Sequence, residues 1–204
     1  MPEIGEETDY ADRVASNADA LKNAWNATRE ELYGMAEELE EKGWDALAVA
    51  ADDLAPESPE QEPTGRYGLT FGVVDNLADD VLEVLATVTD HTVEELAAQE
   101  EGEPLELDAF DRFEVFQHEQ SGQVYMVVAY FDDDSQTALL LAGAYQQMYA
   151  GAVRRAVVDN ETAFVHVQRL DRTPVASFRH EEWEPFFPKA EQRLAEGADE
   201  DPRH

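Results

Sequence analysis

Two alternating runs, Arg112–Glu119 and Gln123–Phe131, flank a Ser121-Gly122 pair, and this arrangement constrains the fold more than any other stretch of the chain. Period-two alternation is the mark of a strand, and a two-residue link between such strands permits only an antiparallel hairpin. With the turn at Ser121-Gly122, His118 faces Tyr125, Phe116 faces Val127 and Val115 faces Val128. Val124–Phe131 carries apolar residues on both faces, which predicts a strand central in its sheet. Asp132, Asp133 and Asp134 then close the run. Ser135–Val158, with Ala138 to Ala142, Tyr145, Met148, Tyr149 and Ala152, is apolar around most of a helical circumference and predicts the most buried helix. On that reading the triple aspartate is its N-cap and dipole partner, and Arg154 and Arg155 complement its carboxyl end. Three consecutive acids lack the alternation of a calcium loop.

Upstream, Thr8–Lys42 is a long amphipathic helix. Val14, Ala18, Leu21, Trp25, Thr28, Leu32, Met35 and Leu39 recur in steps of four and three. The stripe suits packing on the chain's own domain, and Leu21, Trp25, Leu32, Met35 and Leu39 are also candidates for a homodimer seam. Gly43 supplies a helix stop. Trp44–Ala50 reads as a short strand, Ala51–Gly65 as a Pro/Glu-rich surface loop, and Tyr67–Val74 as a strand whose Gly68 and Gly72 suggest close backbone approach. Asp75 or Asn76 is expected to cap a helix through Val88, and Thr92 with Glu95 has the capping-box spacing. Gln99–Asp108 is an acidic loop. Glu161–Leu170 and Thr173–His180 form a second hairpin, followed by an aromatic plug of Trp183, Phe186 and Phe187.

The fold class these elements predict is α+β. A mainly antiparallel sheet of about six strands runs in ββα-ββα-ββ order, with helices on one face and the long helix ahead of it. The expected organisation is a flexible segment 1–7, one domain over 8–188, and an acidic, disordered tail over 189–204.

Charge narrows the partners. The chain has 47 acidic and 14 basic residues, a formal net charge of −33, yet 43% apolar residues argue against disorder. Such self-repulsion destabilises a compact state at ordinary ionic strength, whereas at molar salt the Debye length falls to about 3 Å. The composition therefore predicts a cytoplasmic protein of a salt-accumulating halophile. Duplex nucleic acid is excluded as a partner because phosphate binding needs positive charge. An acidic membrane surface is excluded likewise, and no window is apolar enough to span a bilayer. With no cysteine, thiol nucleophiles and thiolate metal sites are absent.

The residues able to carry chemistry concentrate late. Arg154, Arg155, His166, Arg169, Arg172, Arg179 and His180 form a local excess of cations and imidazoles, a candidate contact surface for an unknown protein or a small anionic ligand. The simpler reading is salt bridging with neighbouring acids. The hairpin register pairs His166 with Ser177 and His180 with Ala163, on opposite strand faces, which argues against a shared metal. His166 beside Ser177 admits an enzyme with a carboxylate–histidine site acting on an anionic substrate, though no glycine-flanked elbow accompanies it. Nucleotide, zinc and hydrolase signatures are absent, so no cofactor or metal is expected.

Several runs resemble those of a known family. Gly43-Trp44 with Ala51-Asp52-Asp53-Leu54-Ala55-Pro56 is similar to a recurring "W…AGDTAP"-like segment, and Arg66–Val74 to an "RFGLVYVVP"-like strand. Ala138–Ala144, His166–Asp171 and Phe186-Phe187-Pro188 resemble later blocks. These belong to an uncharacterised family of acidic haloarchaeal proteins, and the likeness covers most of Ala11–Pro188. It departs at Asp53-Leu54, where the family more often has Asp-Thr. The resemblance implies the halophilic setting and carries no catalytic residue. The functional expectation is a non-enzymatic interaction or ligand-sensing module.

Overall fold

A computed structural model describes residues 4–62, 64–99 and 105–199. Helix α1 (Ile4–Glu41) leads to strands β1 (Asp45–Ala50), β2 (Asp53–Glu57) and β3 (Gly68–Val73), then to helices α2 (Asp75–Val88) and α3 (Val93–Ala97). Strands β4 (Arg112–Gln120), β5 (Gln123–Asp132) and β6 (Thr137–Gln146) follow, with a 3-10 turn at Gln147–Tyr149. Helix α4 (Gly151–Asn160), strands β7 (Ala163–Arg169) and β8 (Pro174–His180), and helix α5 (Ala190–Asp199) complete the chain.

The class is α+β, but the single antiparallel sheet is replaced by two mixed four-stranded sheets, ordered β1-β6-β5-β4 and β2-β3-β7-β8. In the first, β1 lies parallel to β6 while β6–β5 and β5–β4 are antiparallel. In the second, β3 lies parallel to β7 between two antiparallel pairs. The chain passes from one sheet to the other at Ala51-Asp52. The Ala51 amide donates to Ala142 of the first sheet and the Asp52 amide to Gly72 of the second, each at 2.9 Å.

The first hairpin takes the predicted register throughout, and the second takes it up to Val167, where a bulge shifts the pairing by one residue before the turn. His118 faces Tyr125, Phe116 faces Val127 and Val115 faces Val128; Ser121 and Gly122 both have positive φ, as a two-residue turn matched to strand twist requires. His166 pairs with Ser177, and His180 with Ala163.

The largest departure is β6. Of the stretch Ser135–Val158 expected to be one buried helix, Thr137–Gln146 is a ten-residue strand between β1 and β5, and only its end, Gly151–Val158, is α-helical, as part of α4. The strand's period-two pattern is hidden because both faces are buried. Ala138, Leu140 and Ala142 face α1, while Leu139, Leu141 and Tyr145 face the core between the sheets. The triple aspartate consequently caps no helix. Asp132 ends β5 and Asp133 and Asp134 lie in the β5–β6 turn, across which the Asp132 carboxylate accepts from the Ser135 amide at 2.9 Å. Gly143 decides how closely the sheets meet, since a Cβ there would lie 2.8 Å from Leu54 Cβ and 3.1 Å from Phe71 Cε1.

Part of the expected 51–65 loop is β2, an edge strand that tolerates Pro56 because an edge position needs no second ladder bond there. Helix α2 starts after Val74 with no side-chain cap, so neither Asp75 nor Asn76 performs that role. The capping box is present: Thr92 Oγ1 accepts from the Glu95 amide at 3.2 Å and the Glu95 carboxylate from the Thr92 amide at 2.9 Å. Residues 100–104 of the acidic loop, 1–3 and 200–204 lie outside the described residues. Helices α1 and α5 cover much of the expected flexible start and tail.

Helix α1 packs on the outer face of the first sheet. Leu32 is 0% exposed there, and Trp25, Met35 and Leu39 pack beside Val127, Ala129, Phe131, Ala138, Leu140 and Ala142. Burying one leucine that fully stabilises by roughly 2 kcal/mol. The helix stops as predicted at Gly43, φ +90°, with the Trp44 amide bonded to Leu39 O at 3.0 Å and Gly43 to Glu40 O at 2.9 Å.

Candidate functional site

The local excess of Arg and His does not converge. Arg169, on the end of β7, donates to the carboxylates of Asp75 at 3.2 Å and Asp79 at 2.6 Å, and the Asp79 hydrogen bond raises its pKa. Arg172, in the β7–β8 turn, reaches Glu62 at 2.7 Å. Arg154 lies with Arg193 beside Tyr145, and burial lowers its pKa. Arg155 and Arg179 are exposed on different elements.

His166 is 2% exposed. Its Nε2 lies 2.9 Å from the Tyr67 carbonyl, which can only accept, so Nε2 carries the proton and Nδ1 accepts from Ser177 Oγ at 2.7 Å. Burial pushes its pKa down to about 4. Both ring nitrogens are committed, Ser177 is itself buried, and neither residue lines any of the cavities described below. The arrangement is a neutral hydrogen-bonded pair beneath the Tyr67 segment. Beside it, Glu57 accepts from Thr70 at 2.7 Å and from Arg66 at 3.0 Å, a buried cluster with no signal in the sequence pattern.

His180 faces the opposite way. Its Nε2 lies 2.8 Å from the hydroxyl of the fully buried Tyr130, and its ring packs 4.4 Å from Phe113 and 4.8 Å from Phe186. Burial alone pushes its pKa down to about 4. It borders a cavity of about 260 Å³ walled by Phe110, Phe113, Tyr130 and Phe178. Among the described residues, no group of three or more His, Asp or Glu is placed to hold a metal ion. No helix there is long and apolar enough to cross a membrane.

The more open space is a groove of about 750 Å³ between α1 and the Ala51-Asp52 crossing. One wall is the α1 stripe Leu21, Lys22, Trp25, Arg29 and Tyr33. The other is Asp52, Asp53 and Leu54, with Val74 and Leu77 where α2 begins. Gln123, Tyr125 and Ala144 form the floor at the carboxyl ends of the parallel pair β1 and β6. The fold makes this gap because α1 follows the first sheet while the chain turns away toward the second. Tyr125 Oη donates to the Leu21 carbonyl at 3.1 Å and fixes the helix over the floor.

The groove's charge is divided by wall. Lys22 and Arg29 face outward from α1 and join no ion pair among the described residues; Arg29 lies over the Tyr33 ring at 6.0 Å. Asp52 and Asp53 are exposed on the facing wall. Of the stripe read as a candidate subunit seam, Leu32, Met35 and Leu39 are used on the chain's own sheet, and Leu21 and Trp25 border the groove.

Residues 11–188 match the model of the Family of unknown function (DUF7529). The chain belongs to this family. No curated protein and no solved structure matches it. Within the matched residues, Asp52 and Asp53 supply the acidic wall and stand where the chain changes sheets.

Proposed function

We propose that this DUF7529 protein is a ligand-binding domain without catalytic chemistry of its own, working in the cytoplasm of a halophile at molar salt. Its ligand occupies the groove between α1 and the Ala51-Asp52 crossing. The observation that carries the reading is that groove of about 750 Å³, within the range of small-molecule sites, where Lys22 and Arg29 stay unpaired in a chain of net charge −33. In so acidic a molecule an unengaged cation beside a cleft is poorly explained by surface salt bridging. The non-catalytic part of the reading rests on His166 and His180: each is buried, neutral at pH 7 and held by hydrogen bonds within the fold, without a carboxylate among its bonded partners. The halophilic setting rests on the charge.

The test is a thermal-shift screen of water-soluble metabolites in molar potassium chloride, run on the native chain and on a Lys22→Ala/Arg29→Ala variant. Both side chains are exposed, so the variant should fold. A ligand at ten times its Kd stabilises by about 1.4 kcal/mol, a rise of roughly 3–6 °C for a domain of this size. Hits that stabilise the native chain and not the variant support the groove. Hits unaffected by the variant, or turnover of any hit, would overturn the reading.

A further inference from the structure

We infer that the groove's ligand is a small zwitterion of the amino-acid or short-peptide class, its carboxylate held by Lys22 and Arg29 and its ammonium by Asp52 and Asp53. The inference rests on the ligand-binding reading and adds the chemistry of the ligand.

The two walls carry opposite charge without joining across the gap. Two cations lie two helical turns apart on α1, at positions 22 and 29, so both project over the same side of the groove with Trp25 between them. Two adjacent carboxylates stand on the other wall. None of the four side chains makes an ion pair with another, although unpaired opposite charges that could approach would gain by doing so. The fold holds the walls apart: Tyr125 ties Leu21 to the floor, and the ladder bonds of Ala51 and Asp52 pin the crossing to both sheets. A molecule with one negative and one positive end would meet both walls at once. A simple anion would satisfy one wall and be repelled by the other, and a simple cation the reverse.

The lining between the walls adds a second requirement. Trp25, Leu54, Leu77, Tyr125 and Ala144 offer apolar and aromatic surface for the body of such a molecule. Size points to more than one residue's worth of ligand. A second cavity of about 530 Å³ shares Leu21 and Gln123 with the groove and continues it toward the Ser121-Gly122 turn, so an extended short peptide has room to run along α1. Charge selection of this kind also suits high salt, because contacts at hydrogen-bond distance lie inside a Debye length of about 3 Å whereas longer-range steering is screened.

The test uses glycine, leucine, phenylalanine, glycyl-leucine and leucyl-phenylalanine, each with its methyl ester, which lacks the carboxylate, and its N-acetyl form, which lacks the ammonium. Binding is read by calorimetry and by Trp25 fluorescence in a Trp44→Phe/Trp183→Phe background. Zwitterions should bind at least about ten-fold more tightly than either blocked form. In Lys22→Ala/Arg29→Ala the ester should bind as well as its parent, and in Asp52→Asn/Asp53→Asn the N-acetyl form should do so, each variant erasing only its own discrimination. Blocked forms that bind the native chain as tightly as their parents would overturn the inference while leaving a ligand site. So would discrimination that survives both variants. If nothing in the panel binds, the zwitterion inference fails, and the metabolite screen with the Lys22/Arg29 variant decides separately whether the groove binds anything.

Discussion

His166 should make the fold acid-labile by a calculable amount. The imidazole is 2% exposed, donates through Nε2 to Tyr67 and accepts at Nδ1 from Ser177. Protonating Nδ1 would place an unsolvated charge beneath the Tyr67 segment, so its pKa falls to about 4. An unfolded histidine titrates near 6.5, and the gap of about 2.5 units at 1.36 kcal/mol each corresponds to roughly 3 kcal/mol. The depressed pKa fixes the sign. The contribution is complete above about pH 6.5, where neither state holds the extra proton. It is lost as the pH falls toward 4, because the unfolded chain takes up the proton first. His180 shifts in the same direction, and many carboxylates titrate over the same range, so the raw stability curve would mix their effects. The difference between the native chain and His166→Gln cancels them. Glutamine keeps an amide able to bond Tyr67 but does not titrate. Urea unfolding in molar potassium chloride should show the native chain's advantage over the variant shrinking by about 2.5 kcal/mol between roughly pH 7.5 and 4.5. A difference that stays constant within about 0.5 kcal/mol over that range would refute the buried neutral imidazole.

Two other perturbations probe the frame around the groove. Gly143→Val should destabilise by about 1–3 kcal/mol or more in urea unfolding, because the added side chain meets Leu54 and Phe71 of the facing sheet; an unchanged midpoint would mean the sheets do not meet there. The melting temperature should rise steadily from about 0.1 M to molar potassium chloride as the self-repulsion of 33 net charges is screened, and a flat or falling curve in scanning calorimetry would remove the argument for a high-salt interior.

How legible the fold was depended on where each element's partners came from. The first hairpin was readable to the residue because turn and register are local, and the second was readable up to Val167, where a bulge shifts the register before its turn. The α1 stripe, its glycine stop and the Thr92–Glu95 box were readable for the same reason. Strand β6 was not. Its Ala-Leu-Leu-Leu-Ala run has helical propensity and no polar face, and only the parallel addition of β1 on one side and β5 on the other makes it a strand. The missed signal was Gly143, which costs stability inside a helix but inside a strand marks close approach. Strand β2 was hidden by Pro56, which is tolerated only because β2 is an edge.

The candidate site divides the same way. His166 opposite Ser177 was legible from the register, but its role depends on Tyr67 closing over the ring from 99 residues away, and no spacing reports that contact. The arginines drew attention through their number, yet Arg169 and Arg172 serve acids brought in from α2 and the 57–62 segment. The groove could not be read as a groove, since its walls come from α1, the strand crossing and the start of α2. Half of it was nevertheless written locally. Lys22, Trp25 and Arg29 lie on one side of a helix rich in acids, and two of only 14 basic residues in the chain share that face. What separates Lys22 and Arg29 from the arginines selected by sequence is place rather than pairing: Arg155 and Arg179 also join no ion pair among the described residues, but neither lines the groove.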